Sequence, residues 1–67
     1  MVKIILNGAP REVSANLSVG GLLDAEGYAQ RKVAVEVNRE IVPKSQHAQR
    51  ILGEGDRIEI VHAIGGG

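Results

Sequence analysis

Cysteine is absent from this 67-residue chain, and so are tryptophan and phenylalanine. The first absence excludes disulfides, thiolate nucleophiles and Cys-based metal sites, and leaves no side chain able to carry a thioester. The second leaves Tyr28 as the sole aromatic, so the 43% of apolar residues must build a core from Val, Ile and Leu, whose β-branched members favour strands. An excess of charge is also missing. Eight basic and eight acidic residues cancel, which argues against nucleic-acid or anionic-membrane binding, because such proteins carry positive charge to neutralise phosphates. No stretch approaches membrane-spanning length, and the first residues form neither a basic leader nor an apolar helix core. The expected compartment is the cytoplasm, and the length allows one small domain.

What is present reads as short elements with clear punctuation. Val2, Ile4 and Leu6 alternate with Lys3 and Ile5, and the run stops at Asn7-Gly8, a pair suited to the positive φ angles of a tight hairpin. The return strand is predicted over Arg11 to Ser14, with Pro10 at its start placing it at a sheet edge. Ser18 is a good N-cap, Leu17 before it suits a hydrophobic staple with Leu22, and Val19, Leu22 and Leu23 share one helical face. Gly27 is placed to end that helix in a left-handed conformation. Beyond a polar loop from Tyr28 to Lys32, Val33, Val35 and Val37 alternate as a third strand turned by Asn38-Arg39. Glu40 to Val42 reads as a brief fourth strand ended by Pro43, and Lys44 to Arg50 as a polar turn or short helical piece. Gly53-Glu54-Gly55-Asp56 then launches a last strand in which Ile58 and Ile60 face one way.

One hairpin, one crossover helix and a last strand suit a mixed four- to five-stranded sheet with the helix across one face. A right-handed crossover leaves a gap beside strand one that the last strand fills in parallel. The α+β layout so defined is the β-grasp, or ubiquitin-like, arrangement, expected over residues 1–62 with a flexible glycine tail over 63–67.

Candidates for internal chemistry are few. His47 and His62 are the only imidazoles, and no further His or Cys completes a metal site around them; His47 reads as a solvated loop residue and His62 as a strand-end residue. Ser14, Ser18 and Ser45 lack an elbow-like context such as G-x-S-x-G. Gly20-Gly21 lacks phosphate-loop spacing and reads instead as a close helix-on-sheet contact. No catalytic residue, cofactor or metal is therefore assigned. Two positions are out of phase with the covered face: Ile5 and Val61 are expected to form an exposed aliphatic spot, and with Ile64 they are the candidates for partner docking.

The remaining candidate is the end itself, Ala63-Ile64-Gly65-Gly66-Gly67. An enzyme that activates a carboxylate with ATP must bring it to the α-phosphate through a narrow passage. Residues without Cβ thread such a passage and adopt any φ. The alternative is a frayed terminus.

Asn38 to Gly67 resembles the thiamine-biosynthesis sulfur carrier (ThiS) family, through the Asn-x-x-Ile-Val-Pro segment, the Gly-Asp before the last strand and the terminal Gly-Gly. The first two-thirds fit more loosely, through the Asn7-Gly8 hairpin and the Leu22-Leu23 helix. The resemblance implies sulfur carriage rather than catalysis. A ThiF-type adenylating enzyme would activate the Gly67 carboxylate, and sulfur drawn from a donor through a cysteine desulfurase would replace AMP to give a thiocarboxylate. Thiazole synthase would receive that sulfur. Gly67 is then the modified residue, Gly66 its access and Gly65 a spacer. The molybdopterin-synthase small subunit is similar in fold and also ends in Gly-Gly. A ubiquitin-like modifier or a plain interaction module would present the same kind of sheet face.

Overall fold

In the computed structural model, which describes residues 1–62, the chain alternates strand and turn around one short helix. The elements are β1 (Val2–Leu6), β2 (Ala9–Val13), α1 (Val19–Ala25), β3 (Val33–Val37), β4 (Glu40–Ile41), a 3-10 turn (Lys44–Gln46) and β5 (Arg57–His62). They form one five-stranded sheet in the order β2-β1-β5-β3-β4. β1 and β5 run parallel, and every other neighbouring pair is antiparallel. The last strand thus fills the gap beside strand one. The helix packs over one face, burying Val19, Leu22 and Leu23 among Ile4, Leu6, Val35, Val37, Ile58 and Ile60. Strand periodicity explains the selection, because alternate residues of β1, β3 and β5 point to one side.

Both hairpin turns use left-handed residues. Asn7 (φ 50°) and Gly8 (φ 87°) join β1 to β2, and Asn38 (φ 53°) and Arg39 (φ 72°) join β3 to β4, in keeping with the right-handed strand twist that favours such two-residue turns. The β2 strand starts at Ala9 rather than Arg11, with Pro10 inside it opposite Ile5. Proline is tolerated there because β2 is the sheet edge. β4 stops at Ile41, yet the Val42 amide still donates to the Val35 carbonyl at 2.9 Å.

Ser18 caps α1 by accepting from the Gly21 amide at 3.0 Å. At the other end, the Tyr28 amide donates to the Leu23 carbonyl (2.8 Å) and the Gly27 amide to the Asp24 carbonyl (3.2 Å), while Gly27 sits at φ 84°. That pair of bonds satisfies helix-end carbonyls in the Schellman arrangement. The expected contact of Gly20-Gly21 with the sheet does not occur. A Cβ on Gly21 would lie 2.7 Å from Leu17 Cδ1, and one on Gly20 would meet the His47 backbone. The two glycines let the helix start approach its own entry residue and the segment after the 3-10 turn, because Ser18 and Ile51 bridge there and Val19 donates to the Arg50 carbonyl.

Candidate functional site

Ile64, Gly65, Gly66 and Gly67 lie outside the described residues, so the site is approached through the strand that leads to them. β5 sits between β1 and β3. Its pairing with β3 runs from Val37 opposite Ile58 to Val33 opposite His62. On its other side, backbone pairing with β1 ends at Leu6 and Ile58, after which the Asn7 side-chain oxygen accepts from the Ile60 amide at 2.8 Å. Asn7 therefore serves twice, as a left-handed turn residue and as a side-chain extension of the ladder. The end of β5 is held from the covered side as well. The Tyr28 and His62 rings meet edge to face at a centroid distance of 5.6 Å and an angle of 60°, a geometry aromatic rings favour. Tyr28 packs against the core, so His62, the last residue of β5, rests on a supported ring.

The opposite, uncovered face carries Lys3 and Ile5 on β1, Ala34 and Glu36 on β3, and Arg57, Glu59 and Val61 on β5. Ile5 and Val61 do share this face. They do not form one contiguous spot, however: Ile5 lies opposite Arg57, and Val61 is four residues further along β5, about 13 Å at the rise of a strand. Arg57 and Glu59 stand between them. Ile5 is half-buried, whereas Val61 is 54% exposed and lies opposite Ala34. Ile41, 63% exposed and opposite Glu36, adds an aliphatic contact on this side that the alternation pattern did not single out.

A charged corner borders this face, where Glu36, Arg39, Arg57 and Glu59 line a shallow depression. The Asn38 side chain holds it together: Nδ2 donates to Asp56 Oδ1, and Oδ1 accepts from the Arg57 amide, each at 3.0 Å. Asp56 Oδ2 in turn accepts from the Gly53 amide at 2.8 Å. The turn before β5 and the β3–β4 turn are thereby locked to one another. Sequence reasoning assigned Asn38 only to a turn, since nothing local indicates that its side chain reaches a second turn.

The two histidines are far from any shared role. His47 is not a solvated loop residue: it is half-buried, with Nε2 at 3.0 Å from the Val42 carbonyl and its own carbonyl accepting from Gly20 at 2.8 Å. A carbonyl only accepts, so Nε2 carries the proton. The imidazole thus ties the end of the 3-10 turn back to Val42, and the His47 carbonyl, not its ring, joins that turn to the start of α1. Ser18 is committed to its cap. Among the described residues, no cluster of His, Cys, Asp or Glu could hold a metal ion, and no helix is long and apolar enough to cross a membrane.

The fold is a β-grasp body, a mixed five-stranded sheet with one helix across one face, and its last strand is followed in the sequence by a glycine-rich segment. The model of the ThiS family matches residues 4–67, and the chain belongs to that family. It is 33% identical over 66 residues to the sulfur carrier protein ThiS of Escherichia coli, covering 98% of this chain and 100% of that one. The crystal structure of a thiamine biosynthesis protein (ThiS) from Geobacter metallireducens superposes with a TM-score of 0.86 at 32% identity, covering 98% of this chain and 100% of that one. A thiazole synthase of Paramagnetospirillum magneticum is 52% identical over 66 residues, which are 98% of this chain but only 20% of that protein. The chain thus spans about a fifth of the length of that longer relative.

Proposed function

We propose that the chain is a sulfur carrier of thiamine biosynthesis rather than a catalyst. The observation that carries this reading is the end-to-end match to the E. coli protein of that name. In the first step a Gly67 carboxylate oxygen attacks the α-phosphorus of ATP on a ThiF-type enzyme, forming an acyl-adenylate and releasing pyrophosphate. A sulfur nucleophile, drawn from a donor through a cysteine desulfurase, then attacks the acyl carbon and AMP leaves. With a donor persulfide as that nucleophile the product is an acyl disulfide, and a thiolate that attacks the donor-side sulfur breaks the S–S bond, forms a disulfide with the donor and leaves the thiocarboxylate on Gly67. Thiazole synthase is the acceptor, a choice supported by the longer relative of that name that contains a matching stretch.

In this reading Gly66 and Gly65 give access, because residues without Cβ pass a narrow channel in any conformation. The open face with Ile5 and Val61, together with Ile64, is the docking side. The cytoplasm, where ATP is supplied, is the compartment. Ordering the glycines on docking costs about 1 to 2 kcal/mol per residue, which contacts of the body must offset.

The test is intact mass after incubation with the adenylating enzyme, ATP and a sulfur donor. A gain equal to the difference between sulfur and oxygen, located at Gly67, is expected. Its absence overturns the reading. Adding one alanine after Gly67 is expected to leave folding intact and abolish conversion, and persistent conversion would rule out Gly67 as the reacting end.

A further inference from the structure

On the helix side of the molecule, away from the open sheet face, a groove of roughly 670 Å³ runs between α1, the loop after it and the 3-10 turn. Leu23, Tyr28 and Val33 contribute apolar surface to it, and Arg31, Lys32 and Lys44 stand around it with Asp24 as the single carboxylate. All three cations are exposed, and among the described residues none of them is paired with a carboxylate. The chain as a whole is neutral, so positive charge is concentrated here. The groove also reaches the root of the terminal segment: Tyr28 lines it and touches His62, and Val33 lines it and pairs with His62.

We infer that this groove is a second docking surface, which takes an acidic segment of the protein partner that handles the chain's end. The apolar floor beneath a cationic rim fits an extended segment in which carboxylates alternate with aliphatic side chains. A small inorganic anion would leave most of the volume empty. A nucleic acid would need the positive excess that this neutral chain lacks. Cations on the rim steer a negatively charged partner toward the groove and act mainly on the rate of association. The choice of partner rests on the carrier reading; the charge and shape of the groove do not.

The test uses the full chain and an acetylated, amidated Glu-Leu-Glu-Leu-Glu peptide, with Gln-Leu-Gln-Leu-Gln as control, followed by backbone amide chemical shifts. The acidic peptide is expected to shift Gly20, Ala29, Arg31, Lys32 and Lys44, and the effect should weaken as salt is raised. Combined Arg31→Glu, Lys32→Glu and Lys44→Glu should weaken binding about tenfold, since several exposed charge pairs are reversed together. These residues are exposed, so amide shifts elsewhere report whether the variant remains folded.

Shifts centred on Arg39 and Arg57, an equal response to inorganic phosphate at matched ionic strength, or unchanged affinity in the triple variant would each overturn the assignment. So would a chain ending at His62 whose groove amides move without peptide, because the occupant would then be the chain's own end. In the mass assay, the triple variant should raise KM several-fold with little change in kcat. Failure of wild-type conversion overturns the carrier reading and leaves the peptide titration to decide the groove. Conversion with unchanged KM in the variant overturns the groove as the partner's dock.

Discussion

The two faces of the central sheet are made from adjacent residues of the same strands, yet they do different work. On the covered face of β5, Ile58 and Ile60 are 0% and 7% exposed. On the open face, Arg57 and Glu59 carry opposite charges and Val61 is 54% exposed. One residue of displacement along a strand moves a side chain from the core to solvent. Stability is therefore concentrated in one set of positions, while the other holds the proposed docking residues, and a substitution can alter either set with little effect on the other. The helix side repeats the lesson, since buried Leu23 and exposed Arg31 and Lys32 border the same groove.

The sharpest way to break this comparison is to hollow the covered face. Ile58→Ala is expected to cost about 2 to 5 kcal/mol, the range for truncating a fully buried aliphatic side chain. Chemical denaturation read by far-UV circular dichroism would show it, and a loss below about 1 kcal/mol would mean that this face is less tightly packed than its burial indicates. At the helix ends, Ser18→Ala removes the acceptor of the Gly21 amide and should cost about 1 kcal/mol. Gly27→Ala puts a Cβ at φ 84° and should cost about 1 kcal/mol as well.

Smaller effects probe the open face. Arg39→Gly is expected to stabilise the chain by about 0.5 kcal/mol: relief of a left-handed arginine is worth about 1 kcal/mol, and added freedom of the unfolded chain takes back about half of it. A drop in the denaturation midpoint would show that the Arg39 side chain contributes more in its charged corner than its backbone costs. Val61→Lys should change stability by less than about 0.5 kcal/mol, as for other exposed positions. It is nonetheless expected to raise KM for conversion of Gly67 when the carrier is the varied substrate at fixed adenylating enzyme. Unchanged KM would remove Val61 from the docking face.

Much of the body was legible in advance because its signals are local. Asn7-Gly8 specifies a two-residue turn through its tolerance of positive φ, Ser18 and Gly27 bracket the helix through backbone groups they can satisfy or accommodate, and the alternation of Val33, Val35 and Val37 marks a covered strand face. The parallel placement of β5 beside β1 followed from topology, since the crossover leaves one vacant position there. What escaped the reading involves partners far apart in sequence. The reach of Asn7 to Ile60, of Asn38 to Asp56 and Arg57, and of His47 to Val42 leaves no periodic trace. The same holds for Ile5 and Val61: their shared phase is visible, but the distance between them depends on the register of β1 against β5.

The sequence by itself determined that this chain is an aliphatic, cysteine-free body ending in glycines, and its last thirty residues carry the pattern of the ThiS family. Alternation and turn chemistry are properties of neighbours along the chain, so they survive in one dimension. Only the tertiary structure decided that the open-face aliphatics are split by Arg57 and Glu59, that Tyr28 supports His62 at the root of the terminal segment, and that three cations gather around one groove. Those facts depend on strand register and on the meeting of loops, which are set by packing between distant segments.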